Sequence, residues 1–180
     1  MLTYFKELSI SRSAWLLLTA SCTALEAAAL YFQHGMGLNP CVMCIYERLA
    51  LLAILIAGII GFLAPPRKTL VRWLALLLGL FGSIKGLSLA IKHTDYQLNP
   101  APWNQCSPFV DFPETLPLNK WFPDLFEATG KGDCGKVVWQ FLDLSMPQWL
   151  IVVFSIYIVV FAVIIISQFK QTSSYRTLFR

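Results

Sequence analysis

"NPCVMCIYERLALLAILIAG", residues 39 to 58, joins a C-x-x-C pair of cysteines to the start of a long apolar run. The apolar window can cross a hydrocarbon core, which needs about 20 apolar residues. Cys41 and Cys44 therefore stand at one end of a predicted membrane helix, with Arg48 one turn further along. This face of the helix leads from water into lipid.

The composition extends this prediction to four membrane helices. Of the 180 residues, 57% are hydrophobic and 13% are charged, whereas about a quarter are charged in soluble domains. Windows long and apolar enough to span a bilayer lie at about residues 14–32, 45–64, 73–91 and 149–167. We therefore predict an all-α fold, an integral membrane four-helix bundle that forms a single domain over residues 1–180.

Two of these windows contain informative residues. The first includes Trp15 and Glu26 and lacks a small-residue cleavage site, so we expect it to be retained rather than removed as a signal peptide. In the third, the spacing of Gly82 and Gly86 is typical of close packing between membrane helices.

Basic residues predict the orientation, because short loops rich in Lys and Arg remain in the cytoplasm. They precede the first window, separate the second from the third and follow the fourth, at Lys6, Arg12, Arg67, Lys68, Arg72, Lys170, Arg176 and Arg180. The connection at about 33–44 has no Lys or Arg, and that at about 92–148 has four Lys against seven Asp and Glu. We expect cytoplasmic termini and two outward loops. The net charge of +4 thus reflects topology rather than nucleic-acid binding.

The second outward loop is unusually long and holds seven of the ten prolines. Long loops without regular structure are usually functional. Within it, Trp121, Phe122, Leu125 and Phe126 recur at helical spacing, which predicts a short amphipathic helix. That helix could lie on the bilayer or cap a small extramembrane fold, and the sequence does not decide between the two.

Four of the five cysteines fall on the outward side, where disulfides persist. Cys22, the fifth, lies inside the first window and is most simply a small apolar filler. The natural pairs are Cys41 with Cys44 and Cys106 with Cys134, because thiols that are near in sequence close first. A bond across the proline-rich loop could contribute about 3 kcal/mol.

Three interpretations of the C-x-x-C pair compete. A structural bond between neighbours constrains almost no chain, so it explains the pair poorly. A structural zinc site of four cysteines usually shows two C-x-x-C knuckles, and this chain has one. Redox exchange is the third interpretation, and we favour it. No metal site is predicted.

The predicted geometry suits a reactive thiol. If the helix begins just after Pro40, Cys41 lies in its first turn, where unpaired amides and the helix dipole favour a thiolate. Positions 41, 44 and 48 then share one helical face. Arg48 lies about 6 Å deeper than Cys44. Taken alone, Arg48 could simply extend its charged end to the interface.

Two more ionisable residues, Glu26 and Lys85, lie at a depth similar to that of Arg48. Charged groups within a membrane pair with each other or serve a site. Our hypothesis is that Glu26 pairs with Lys85, which leaves Arg48 available to polarise a bound ligand.

The oxidation of a dithiol releases two electrons, and the chain contains no G-x-G-x-x-G loop or haem-attachment motif to receive them. A lipid-dissolved two-electron acceptor is the economical choice, which indicates a quinone. Arg48 could hydrogen-bond a carbonyl oxygen of the quinone and stabilise the negative charge that develops there.

Several motifs together resemble the disulfide bond formation protein B (DsbB) family of bacterial inner membranes. They are "PCVMCIYER" at 40–48, "HT" at 93–94, a cysteine at 106, "GDC" ending at 134 and "MPQWL" at 146–150. The similarity spans nearly the whole chain, and the combination is specific although C-x-x-C alone is weak. It implies a quinone-dependent protein-dithiol oxidoreductase with periplasmic active-site loops.

The resemblance also implies a role for each cysteine. Cys106 would form a mixed disulfide with a soluble, DsbA-like thioredoxin-fold partner, which releases Cys134. Cys134 would pass the electrons to Cys41, and Cys44 would then react with ubiquinone or menaquinone beside Arg48. These four cysteines and Arg48 are therefore the candidate catalytic residues.

The candidate quinone-binding residues are Cys44, Arg48 and His93. His93 resembles a residue that the family places near the quinone ring. The sequence alone favours a different interpretation, a solvated histidine at the membrane interface.

Two alternatives remain open. One is a four-helix thiol reductase of the vitamin K epoxide reductase kind, although the position of the C-x-x-C pair on the second helix argues against it. The other is a non-catalytic membrane scaffold whose disulfides merely hold its loops.

Overall fold

The computed structural model describes residues 2–63, 69–107, 110, 121 and 132–169. The elements, in chain order, are α1 (Leu2–Ile10), α2 (Arg12–Leu30), a π-helical turn (Tyr31–Gly35), α3 (Val42–Leu63), α4 (Thr69–Leu98), β1 (Gln140–Phe141), β2 (Leu144–Ser145) and α5 (Met146–Phe169). Within these residues, four helices are long and apolar enough to cross a membrane: α2 with its π-helical turn, α3, α4 and α5. The prediction of a helical membrane bundle is confirmed.

The helices pack in the order α2, α3, α4, α5, and the short α1 lies against α5. Their shared core includes Trp15, Leu51, Ile54, Leu76 and Phe154, all buried. This arrangement brings the N-terminal end of α3 and the C-terminal end of α4 together, and the site is built there.

Glycines allow α4 to approach both of its neighbours. The positions that Cβ atoms would occupy at Gly79 and Gly86 are filled by the rings of Phe161 and Phe154 on α5, and Gly82 lies against the α3 backbone at Ala50. The close packing predicted from the glycine spacing therefore holds α4 on two sides.

We expect Gly86→Ala to destabilise the bundle by about 1–3 kcal/mol, because the added methyl group would overlap the ring of Phe154. Thermal unfolding of the protein in detergent measures the effect. Ser88→Ala is the matched control, since Ser88 is exposed on the same helix. Equal unfolding temperatures for the two variants would contradict the close packing.

Helix α4 is longer than the apolar window predicted. It ends at Leu98 instead of near residue 91. The extra turns bury His93, Thr94 and Tyr96, and the hydroxyl of Thr94 donates to the carbonyl oxygen of Ala90. A hydropathy window misses these turns because polar residues on them are buried by protein contacts rather than by lipid.

A short hairpin precedes α5 and was not predicted. Its two strands pair Gln140 with Ser145 and Phe141 with Leu144. The turn residues Leu142 and Asp143 have φ angles of 51° and 60°, as a two-residue turn matching the strand twist requires. Of the predicted amphipathic helix within the long loop, Trp121 alone lies among the described residues.

Candidate redox site

The C-x-x-C pair lies where α3 begins. Cys41 is the residue before Val42, the first helical residue, and its carbonyl oxygen accepts the hydrogen bond of the Ile45 amide. Its Sγ accepts a hydrogen bond from the backbone N–H of Cys44 at 3.3 Å. Cys41 thus caps the helix with its sulfur, one position before the predicted first turn.

The two sulfurs of this pair are 2.8 Å apart, and both cysteines are free thiols. A disulfide bond is about 2.05 Å long, so closing the bond requires only a small movement. The pair is positioned for reversible oxidation.

The second pair, Cys106 and Cys134, forms a disulfide with a Cα–Cα distance of 6.2 Å. Cys134 is buried in a cluster with Cys41, Met43 and Tyr96, and Cys106 packs against that cluster. The two cysteine pairs therefore belong to one packed group, although 65 residues of sequence separate Cys41 from Cys106.

Gly132 sets how closely the "GDC" segment approaches the first pair. A Cβ atom at Gly132 would lie 2.6 Å from the carbonyl oxygen of Pro40 and 2.7 Å from the amide nitrogen of Cys41. Both neighbours are backbone atoms, so they cannot rotate away. A side chain here would push the segment that contains Cys134 away from Cys41.

We expect Gly132→Ala to slow thiol exchange between the two cysteine pairs by about tenfold or more, because exchange needs direct contact between sulfurs. Rapid quenching followed by mass spectrometry of alkylated peptides measures the step. Val137→Ala, at an exposed position nearby, is the control. Unchanged exchange in Gly132→Ala would show that this contact does not position Cys134.

His93 and Glu47 form a buried polar pair beside Cys41. Their exposed fractions are 3% and 2%. His93 Nδ1 lies 2.9 Å from a carboxylate oxygen of Glu47, and His93 Nε2 lies 3.6 Å from Cys41 Sγ. The interpretation of His93 as a solvated interfacial residue is wrong, because the extended α4 buries it against α3, between Glu47 and Cys41.

Arg48 contacts two residues near the C-terminal end of the first membrane helix, Gln33 and Glu26. Its Nη1 donates to the side-chain oxygen of Gln33 at 2.9 Å, and its Nε lies 3.7 Å from a carboxylate oxygen of Glu26. The hypothesis that Glu26 pairs with Lys85 is therefore wrong. Lys85 is exposed on α4, with its Nζ 6.0 Å from the centre of the Phe81 ring.

A cavity of about 350 Å³ opens beside Cys44 and Arg48, between α2, α3, α5 and the hairpin. Most of its lining is apolar; the amides and charged groups in the wall are Gln33, Asn39, Glu47 and Arg48. An aromatic row borders it, with ring centres 5.3 Å apart for Phe32 and Trp139, 6.2 Å for Trp139 and Phe141, and 6.1 Å for Phe141 and Trp149. We call this space the apolar cavity.

A second space of about 240 Å³, the polar cavity, lies beside the cysteine pair and shares part of its wall, including Cys44, with the apolar cavity. Cys41, Cys44 and His93 line it, together with Gln97, Asp133 and Lys136 among others. Cys44 lines both cavities, whereas in the described part of the chain Arg48 lines the apolar cavity and His93 the polar one. The predicted shared face of Cys41, Cys44 and Arg48 is thus divided between two spaces.

The same thiols could also bind a metal ion. The sulfurs of Cys41 and Cys44 and a ring nitrogen of His93 lie within 4.8 Å of one another. A structural zinc site is almost always held by four ligands, and within the described residues this group supplies three. The proximity of the sulfurs fits redox exchange equally well.

Comparison with known proteins decides the family. The model of the family described as "Disulfide bond formation protein DsbB" matches residues 11–164. The chain belongs to the DsbB family. The resemblance inferred from the cysteine motifs is therefore confirmed.

Relatives in the DsbB family match along nearly the whole chain, and each is named disulfide bond formation protein B. The protein of Histophilus somni (strain 129Pt) is 57% identical over 180 residues, which is 100% of both chains. That of Haemophilus influenzae (strain ATCC 51907 / DSM 11121 / KW20 / Rd) is 49% identical over 179 residues, 99% of each. That of Aeromonas salmonicida (strain A449) is 51% identical over 166 residues, 92% of this chain and 94% of the relative.

Membership in the DsbB family makes the chain a multi-pass membrane oxidoreductase of disulfide bond formation. It decides against the non-catalytic scaffold and favours thiol oxidation over the reductase alternative. The cysteines that the family motif identifies are the ones that the structure brings together at the N-terminal end of α3 and the C-terminal end of α4.

Sequence reasoning missed two residues of this DsbB site, Glu47 and Gln33. Glu47 had a usable signal, since it is an acidic residue three positions after Cys44 within an apolar helix, and such residues serve a site or a partner. Gln33 had none, because its direction depends on the π-helical turn at the end of α2. Turns of this kind are frequent at functional sites.

Proposed function

We propose that this chain reoxidises a periplasmic, DsbA-like thioredoxin-fold disulfide donor and passes the electrons to a membrane quinone. The observation that supports this most strongly is the position of Cys44. Its side chain lines both the polar cavity, where it meets Cys41, and the apolar cavity, where it meets Arg48. One sulfur thus has access to a thiol partner and to a space suited to an apolar oxidant.

The apolar cavity suits a quinone by its chemistry. Ligand sites of this kind combine an apolar lining with a few polar groups that fix orientation. Here the guanidinium of Arg48, held by Gln33 and Glu26, stands in the wall next to Cys44. Arg48 and Cys44 would hold the quinone head group, and the aromatic row would cover its ring. A bound quinone supplies a two-electron acceptor that also takes up two protons.

The cysteines perform the exchange steps. A thiolate of the donor attacks Cys106, forming a mixed disulfide and releasing Cys134. The donor's second thiolate then closes its own disulfide and frees Cys106. Cys134 attacks the oxidised first pair at Cys41, with which it is packed, and Cys44 is released as a thiolate. Attack by Cys106 on Cys134 restores the outer disulfide and leaves Cys41 and Cys44 reduced.

Arg48 assists the last step by charge. Electrons leave from Cys44 at the wall of the apolar cavity, and a fixed positive charge stabilises the negative charge that develops there. The position of Arg48 within an apolar wall strengthens this interaction, because apolar surroundings screen charge less than water does.

The location follows from the same proposal. The chain would lie in a bacterial inner membrane with both termini in the cytoplasm, as the basic residues predict. The cysteine pairs, the two cavities and the hairpin would then face the periplasm, where disulfides are formed.

The test uses the purified full chain in detergent with a reduced thioredoxin-fold donor and either ubiquinone or menaquinone. Quinone absorption and donor oxidation are followed together. The proposal predicts one quinone reduced for each donor dithiol oxidised, with one quinone type giving the faster rate. Donor oxidation that proceeds at the same rate without quinone would contradict it.

A further inference from the structure

The buried pair of Glu47 and His93 has no part in the exchange steps above. Each residue could ionise, yet both are almost fully excluded from solvent. Burying such groups is costly unless they are paired, and within a membrane they usually serve a function. The pair lies directly beside a reacting sulfur, since His93 Nε2 is 3.6 Å from Cys41 Sγ.

The geometry determines which nitrogen of His93 holds a proton. Glu47 is close to Nδ1 and, as a carboxylate, accepts a hydrogen bond from it. In neutral His93 the proton is therefore on Nδ1, and the lone pair of Nε2 points toward Cys41. This is the arrangement of a nucleophile, a base and an acidic residue that orients the base.

We propose that His93 is the proton acceptor of the Cys41 thiol and that Glu47 is the residue that positions and stabilises it. In the reduced site, the proton of Cys41 Sγ moves to His93 Nε2, which leaves a thiolate beside an imidazolium. Glu47 stabilises the imidazolium through Nδ1. The Cys41 thiolate then forms the disulfide bond with Cys44.

This inference rests on the proposed function, because the electrons that the step releases go to the quinone. Closing the disulfide from the Cys41 thiol and the Cys44 thiolate breaks one S–H bond, forms one S–S bond and releases two electrons and one proton. The two electrons leave through the Cys44 thiolate to the quinone, and water supplies both protons that the quinone takes up. His93 passes its proton to water through the polar cavity, whose wall includes the exposed Asp133 and Lys136.

This assignment gives His93 a role different from contact with the quinone ring. His93 lines the polar cavity with both cysteines, and Glu47 lines the apolar cavity. One member of the pair therefore lines each of the two spaces. Arg48 acts beside Cys44, from which the electrons leave. His93 acts on Cys41, the thiol that closes the disulfide bond with Cys44.

The ultraviolet absorption of the thiolate tests the proposal in the fully reduced chain, at neutral pH, without quinone and with a chelator present. The Cys41 signal is the difference between each protein and the same protein with Cys41→Ser. We expect His93→Gln and Glu47→Gln each to reduce this signal by about tenfold, and Glu47→Asp to restore part of it. His34→Gln and Glu7→Gln, at exposed positions, should leave it unchanged.

The absence of quinone separates this test from that of the proposed function. A Cys41 signal in His93→Gln and Glu47→Gln equal to that of the exposed controls would overturn the proposal. Thermal unfolding shows whether each variant is folded, and the isosteric Glu47→Gln decides the matter if His93→Gln does not fold. If neither variant folded, the pair would be a structural tie and the proposal would be wrong.

Discussion

We expect Cys44→Ser to reduce quinone-coupled oxidation of the donor by at least about 10³-fold, because a hydroxyl cannot replace the thiolate that gives up the electrons. The outer disulfide of Cys106 and Cys134 remains in this variant. A single equivalent of reduced donor should therefore still be oxidised, with no quinone consumed. Steady-state quinone absorption and a single-turnover measurement of donor oxidation distinguish the two effects.

Cys22→Ser is the matched control for this loss. Cys22 is also a buried free thiol, but it lies in α2, where its sulfur is 3.7 Å from the hydroxyl of Tyr157 on α5. Its buried position agrees with the prediction of an apolar filler. Turnover by Cys44→Ser at a rate close to that of Cys22→Ser would place the electron exit at another residue.

The second large effect concerns Arg48. Arg48→Met keeps much of the side-chain volume and removes the positive charge, so quinone-coupled turnover should fall by about 10²–10³-fold, as for the loss of a group that stabilises developing negative charge. Thiol exchange between the donor and Cys106 should not change, because that step occurs outside the apolar cavity. Quinone reduction and formation of the mixed disulfide are measured separately.

Lys85→Met is the control that the structure provides. Lys85 is a cation at a similar depth in the bundle, but it is exposed on α4 instead of standing in the cavity wall. We expect the quinone-coupled turnover of Lys85→Met to equal that of the parent protein. Similar losses in Lys85→Met and Arg48→Met would indicate a general effect of charge on the bundle rather than a local one at Arg48.

The elements predictable from the sequence are those set by local composition. Apolar windows gave the four membrane helices, and the cysteine distribution gave the pair at Cys41 and Cys44 and the disulfide between Cys106 and Cys134. The membrane helices depend on the hydropathy of consecutive residues, and the cysteine pairs depend on their spacing along the chain. Both can be read directly from the sequence. The glycine spacing on α4 likewise predicted a close helix contact.

The remaining features depend on how the helices are rotated about their axes. Glu26, Arg48 and Lys85 lie at similar depths, so depth alone allowed the wrong pairing. The glycine contacts of α4 and the packing of α2 on α3 turn Lys85 outward and Glu26 toward Arg48. No local pattern determines these rotations.

His93 shows the same limit at a helix end. The apolar window ends near residue 91, so a histidine two positions later seemed to lie in solvent. The helix continues because Tyr96 packs in the cysteine cluster and Glu47 pairs with His93. Tyr96 is 38 or more positions from the other buried residues of this cluster, and Glu47 is 46 positions from His93. Such contacts are visible only in the folded protein.

The most direct test of the central claim is a quinone titration of Cys41→Ser, in which Cys44 cannot form a disulfide with its neighbour. A thiolate in contact with a quinone should give a visible charge-transfer band. The account predicts that this band appears with quinone in Cys41→Ser, and that it disappears when Cys44 is also replaced. If quinone bound without a band in Cys41→Ser, or the band persisted without Cys44, the electrons would not leave through this sulfur.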